Sequence, residues 1–218
     1  MNDRINTIIC DAEKNAQETF KKVEEIAYVN QKKVLSAFQK HKISLRHFSQ
    51  TTGYGYGDDG RDTLNKLFAD VFDCEAAIVS PHILSGTHAL SLTLFGILRP
   101  NDLLLSITGK PYDTLDEVIS GADGSLADFG VKYDCIDIKD GHIDQDAVVN
   151  YIKNKKVRMI FITRSRGYSL RDALSVAEIK SVTEKIKAID SNICIMVDNC
   201  YGEFMDTIEP TSVGVDVM

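Results

Sequence analysis

Apolar residues recur at intervals of three and four from Cys10 to about Lys40, through Ala16, Phe20, Val23, Ile26, Ala27, Val34, Leu35 and Phe38. That spacing lines one face of a helix and predicts an amphipathic helix, or a broken pair, ahead of the main core. A loop over 50–60 follows, containing T-T-G-Y-G-Y-G-D-D-G. Its glycines reach backbone shapes closed to other residues. Beyond the loop, short apolar runs at 76–80, 102–107, 131–138, 157–163 and 193–198 alternate with helical periodicity at 61–72, 87–98, 112–120, 144–153 and 175–189. Continuously apolar strands separated by helices are buried on both faces. The expected fold class is therefore α/β, a three-layer, mostly parallel sheet with helices on both faces.

In such sheets ligands bind beyond the carboxyl ends of the strands, so the residues just after each run carry the chemistry. After the first run, Ser85-Gly86-Thr87 opens an apolar helix. Small residues there leave free N–H groups and a positive dipole end, which suit a phosphate, although Ser85 or Thr87 also reads as an N-cap. The second run delivers Tyr112, an aromatic that could stack on a flat heteroaromatic ring or pack on the following helix. The fourth run leads to Arg164 and Arg166, either of which could grip a substrate carboxylate bidentately or pair with a surface acid. The fifth ends in Asp198, followed by Asn199, Cys200 and Tyr201. A carboxylate closing a buried strand needs a partner, either a cationic ring nitrogen or the start of the next helix.

Composition narrows the partners. The 218 residues are 44% hydrophobic, enough for a sizeable core, and carry a net charge of −7. That balance argues against nucleic acid or an anionic membrane and for a small molecule. The 5 cysteines lack C-x-x-C spacing, so neither a disulfide framework nor a zinc site is indicated and a reducing, cytoplasmic compartment is expected. No apolar leader and no stretch of about 18 apolar residues occurs.

Taken in order, the strand before S-G-T-H at a helix start, then G-K-P-Y-D-T-L, then V-D-N-C-Y-G-E-F, resemble the pyridoxal-phosphate (PLP) enzymes of fold type I, in the cysteine and methionine metabolism group. The similarity is strongest to the aluminium-resistance, or methionine gamma-lyase-like, branch. The resemblance implies an aspartate-aminotransferase-like large domain over 61–218, preceded over 1–60 by a helical arm and an intersubunit glycine loop. It implies PLP as cofactor, a sulfur-containing amino acid as substrate, elimination at the β or γ carbon, and a homodimer or homotetramer. By the same resemblance Gly86 and Thr87 hold the phosphate with Ser85 beside them, Tyr112 stacks on the ring, and Asp198, next to Tyr201, pairs with the ring nitrogen. Tyr56 and Arg61 are the nearest matches to a tyrosine and arginine that reach a neighbouring subunit's phosphate, though the spacing differs from the commoner Y-x-R form. The family's Schiff-base lysine is expected beyond Met218, so the catalytic residue falls outside the 218 residues and the large domain is expected to be incomplete. Lys110 and Lys180 stand in the wrong motif context for it.

Four rival readings remain. An aminotransferase or desulfurase would share these motifs, and a non-catalytic oligomerising fragment would share the helical arm. Gly55, Gly57 and Gly60 formally match the G-x-G-x-x-G dinucleotide fingerprint, which requires a buried strand in front. His82 and His88 flank the phosphate loop without zinc-ligand spacing.

Overall fold

The computed structural model describes residues 3–52, 54, 56–121 and 123–218. The N-terminal periodicity becomes one unbroken helix, α1 (Asp3–Lys40, 38 residues), in place of a broken pair. No Pro or Gly interrupts it. At its carboxyl end Lys40 and His41 reach Asp70 at 2.7 and 2.5 Å, fastening it to α2 (Asp59–Val71). The contact between the two helices buries Ala37, Leu67 and Val71. Farther back, Asn30 is buried against the far end of the chain and donates to the carbonyls of Phe204 and Asp206.

Next come α3 (Gly86–Ile97), β1 (Leu103–Ser106), α4 (Asp113–Asp116), β2 (Lys132–Cys135), α5 (Gln145–Asn154), β3 (Met159–Thr163), α6 (Val176–Ile189) and β4 (Cys194–Asp198). The four strands form a wholly parallel sheet in the order β2-β1-β3-β4. Alternate strand residues sort cleanly between the two faces, as the pleat requires. Leu104, Met159, Phe161 and Met196 pack with Leu90 and Leu94 of α3 and Leu115 of α4. Leu105, Ile160, Ile162, Ile195 and Val197 pack with Val148 of α5 and Ile179, Val182 and Ile186 of α6. The expected three-layer α/β architecture is present.

Two expectations are corrected. The 76–80 run is not a strand: Ile78 is 82% exposed, and a strand exists only through a partner that no described residue supplies. The 112–120 helix holds α geometry for one turn only. It then widens into a π turn (Glu117–Gly121), with the carbonyls of Val118 and Ile119 accepting from Leu126 and Ala127. At the β4 edge, Val217 makes a parallel bridge to Met196, and Val197 N–H donates to its carbonyl.

Candidate active site

Because all strands run the same way, β1, β3 and β4 end on one edge. The amino terminus of α3 reaches that edge too, since the Thr87 hydroxyl lies 3.2 Å from the Tyr112 hydroxyl and 3.4 Å from that of Thr114. Ser85 is the N-cap of α3, its Oγ accepting from His88 N–H at 3.1 Å. Capping leaves the N–H groups of Gly86 and Thr87 without intrahelical acceptors. A side chain placed on Gly86 would meet nothing within 4 Å, so that end of the helix faces open space. The capping and phosphate readings of this segment are therefore compatible: one residue caps and the next two present donors.

Tyr112 follows β1 and N-caps α4. Burial pushes its phenol above the usual tyrosine range, and the neighbouring negative charges of Asp198 and Cys200 add to the effect, while the Thr87 contact opposes it. Tyr112, after β1, and Asp198, at the end of β4, lie at the same carboxyl edge of the sheet. Asp198 closes β4 half-buried, with Oδ1 accepting from Cys200 N–H at 3.1 Å in an Asx turn. Burial is the main cause raising its carboxyl above the usual carboxylate range; the Cys200 N–H works against it and Glu203 adds to it. Among the described residues no Lys, Arg or His forms an ion pair with it. Ser85, Gly86, Thr87, Tyr112 and Asp198 thus converge on one edge.

Tyr201 stands beside this group, 85% exposed, with a left-handed backbone (φ 65°) that costs a non-glycine residue about 1 kcal/mol. A network centred on Arg164 holds the turn in that shape. Arg164 is only 3% exposed; its Nε donates to Leu174 O, Nη1 to Asn199 Oδ1 and Gly202 O, and Nη2 to Asp206 Oδ2 at 2.6 Å. Buried Glu209 accepts from Phe204 N–H and the Asn199 amide and lies 3.9 Å from Arg164. Gly202 is required here, since a Cβ would fall 2.6 Å from Asn199 Oδ1 and 2.7 Å from Arg164 Nη1.

The two candidate arginines therefore separate. Arg164 is corrected from a substrate grip to a scaffold, because its guanidinium is already engaged by the chain. Arg166 is exposed on the same loop. Nothing local marks Asp206 and Glu209 as the counterparts of Arg164, because they lie more than a strand and a helix away in sequence. Arg171 also escapes the pattern. Its half-buried guanidinium donates to Ser165 O at 2.6 Å and lines an open cleft of about 700 Å³ with Thr108, Asp137, Asp140 and His142. That cleft adjoins the strand ends but does not include Tyr112 or Asp198.

Tyr56 and Arg61 are not brought to this group. Tyr56 is 88% exposed, and Arg61 engages Asp62 at 2.9 Å while its N–H caps onto Asp58. Gly53 and Gly55 of the loop lie outside the described residues. The dinucleotide fingerprint lacks its strand, since Leu45–Phe48 is a 3-10 turn, and the carboxylate of Asp58 occupies the α2 N-cap where a pyrophosphate would sit. His88 accepts from Leu84 N–H at 3.2 Å, a satisfied helix histidine. Lys110 is exposed and pairs with Asp116 at 2.8 Å, which raises its pKa, the reverse of what an amine nucleophile needs. Among the described residues no helix is long and apolar enough to cross a membrane.

Comparison with known proteins bears on the fold and the family. The uncharacterised protein YnbB of Bacillus subtilis is 51% identical over 203 residues, covering 91% of this chain and 48% of its own. A carbon-sulfur lyase involved in aluminium resistance from Clostridium novyi superposes with a TM-score of 0.94 at 43% identity, covering 100% of this chain and 53% of its own. A Listeria innocua protein involved in aluminium resistance gives 0.93 at 49% identity, covering 98% and 53%. The chain spans about half the length of these relatives. The family model for methionine gamma-lyase matches residues 5–218, and the chain belongs to that family.

Proposed function

We propose that the full-length protein is a PLP-dependent carbon–sulfur lyase that cleaves a sulfur-containing amino acid by β or γ elimination. The observation that carries this reading is the convergence of three chemically different features on one sheet edge. They are the open N–H groups of Gly86 and Thr87, the phenol of Tyr112, and the carboxylate of Asp198, which pairs with no cation among the described residues. The residues fit PLP group by group. Helix N–H donors and dipole suit a phosphate dianion, an aromatic face suits a flat ring, and a carboxylate lacking a cation suits a protonated ring nitrogen.

PLP held there would supply an electron sink for charge developing at the substrate's α carbon. Asp198 would keep the ring nitrogen protonated, and the opposite charge it gains would offset the burial that now raises its pKa. Gly86 and Thr87 would fix the phosphate through backbone donors, a contact indifferent to side-chain motion. Arg166, exposed beside the strand ends, is the candidate for the substrate carboxylate. Tyr56 and Arg61 are assigned to a second copy's phosphate in a homodimer or homotetramer, which suits a tyrosine as exposed as Tyr56. The carbon–sulfur specificity rests on the family match and on the lyase from Clostridium novyi.

The test is reconstitution of the full-length apoprotein with PLP, followed by turnover of cystathionine, methionine and cysteine. Stoichiometric binding is expected, with release of a thiol from cystathionine or methionine, or of hydrogen sulfide from cysteine. Asp198→Ala should lower turnover by orders of magnitude, because a neutral pyridine is a poorer sink. Wild-type turnover in that variant overturns the reading.

A further inference from the structure

Thr163 and Asp198 are the last residues of β3 and β4 and are direct partners in the parallel ladder. Met159 and Phe161 of β3, and Met196 of β4, face α3 and α4, whereas Ile160, Ile162, Ile195 and Val197 face the other way. Period-two alternation therefore sets the Thr163 and Asp198 side chains next to each other on the Tyr112 side. The backbone of Thr163 is pinned, its N–H donating to Thr108 Oγ1 at 3.0 Å. Its own Oγ1 is sealed from solvent and has no hydrogen-bond partner. Buried hydroxyls rarely remain unsatisfied, and such exceptions call for an explanation. The adjacent carboxylate uses Oδ1 on Cys200 N–H and pairs with no cation among the described residues.

A donor without an acceptor thus stands beside an acceptor with capacity to spare. We infer that Thr163 is a positioning residue: rotation about its Cα–Cβ bond lets the hydroxyl donate to the Asp198 carboxylate, holding it charged and aimed at the cofactor's ring nitrogen. A hydrogen bond to the charged form favours that form, which is the state a ring cation requires. Of the groups acting on this carboxylate, Glu203 adds negative charge, and the Cys200 N–H is already spent on Oδ1, so neither supplies the further donor. The inference rests on the site being a PLP site.

The experiment compares two ligands on full-length apoprotein by equilibrium dialysis, PLP and its 1-deaza analogue, in which carbon replaces the ring nitrogen. Thr163→Val keeps the shape and removes the hydroxyl, and Thr163→Ser restores it. Thr163→Val should weaken PLP binding about tenfold, the scale of a lost hydrogen bond to a charged group, and leave the analogue unaffected. Thr163→Ser should bind PLP like wild type. A role in packing alone would weaken both ligands equally in Thr163→Val, and that result overturns the inference, as does unchanged PLP affinity. Asp198→Ala separates the two levels of argument: it should abolish the preference for PLP over the analogue. Lost preference in Asp198→Ala with full preference in Thr163→Val defeats the positioning role alone. No preference in wild type, or one that survives Asp198→Ala, defeats the site reading and the inference with it.

Discussion

The hydroxyl of Thr87, in the first turn of α3, lies 3.2 Å from the hydroxyl of Tyr112, which enters α4 after β1. This contact ties the helix end proposed to hold the phosphate to the aromatic proposed to stack on the ring. In Tyr112→Phe the ring stays and the tie is lost, so PLP affinity should fall only a fewfold; in Tyr112→Ala both go and the fall should exceed tenfold. Fluorescence titration of full-length apoprotein checks this, and equal affinity in the two variants would contradict a stacking role.

Asp198 carries a sign that stability measurements can read. Its folded pKa is raised above the unfolded value, chiefly by burial. A raised pKa means the folded state binds the proton more tightly, so the group's favourable contribution is present below the unfolded pKa of about 3.8 and is lost as pH rises through the folded pKa. At neutral pH its charge is thus a burden on the cofactor-free protein. Asp198→Asn, which keeps an acceptor for Cys200 N–H, should melt higher than wild type at pH 7, with the advantage shrinking as pH falls toward 4. A lower melting temperature at pH 7 would count against the buried-charge account.

Arg164 and Arg166 should behave as opposites. Arg164→Met removes the cation facing Asp206 and buried Glu209 and should cost about 3–5 kcal/mol, read by denaturant unfolding. Arg166→Ala, on an exposed side chain, should stay within about 0.5 kcal/mol of wild type while raising KM for the amino-acid substrate. Unchanged KM removes Arg166 from the substrate role.

Gly202→Ala puts a methyl 2.6 Å from Asn199 Oδ1 and 2.7 Å from Arg164 Cδ, both parts of a fully bonded network. Destabilisation of about 2–4 kcal/mol is expected, seen as a lower unfolding midpoint. Ser85→Ala should cost about 1 kcal/mol through the lost cap on His88 N–H, and Ser85→Gly only a few tenths.

Local sequence alone determined the order of elements. Apolar runs such as Met159-Ile-Phe-Ile-Thr163 and Cys194-Ile-Met-Val-Asp198 read as doubly buried strands between amphipathic helices, and Ser85 before an apolar stretch reads as a helix start. Parallel strands then share one carboxyl edge, so Ser85 to Thr87, Tyr112 and Asp198 are legible in the sequence as one candidate site. Tertiary structure decided what depends on partners distant along the chain. Ala76 to Ser80 has strand composition yet forms no ladder, because hydrogen-bond pairing is not a property of one segment. Arg164 and Arg166 look alike in sequence, and only the return of Asn199, Gly202, Asp206 and Glu209 to the same place turns one of them into scaffold. The unpaired hydroxyl of Thr163 is visible only once β3 and β4 lie in register, since a lone threonine at a strand end carries no sign of which carboxylate will stand beside it.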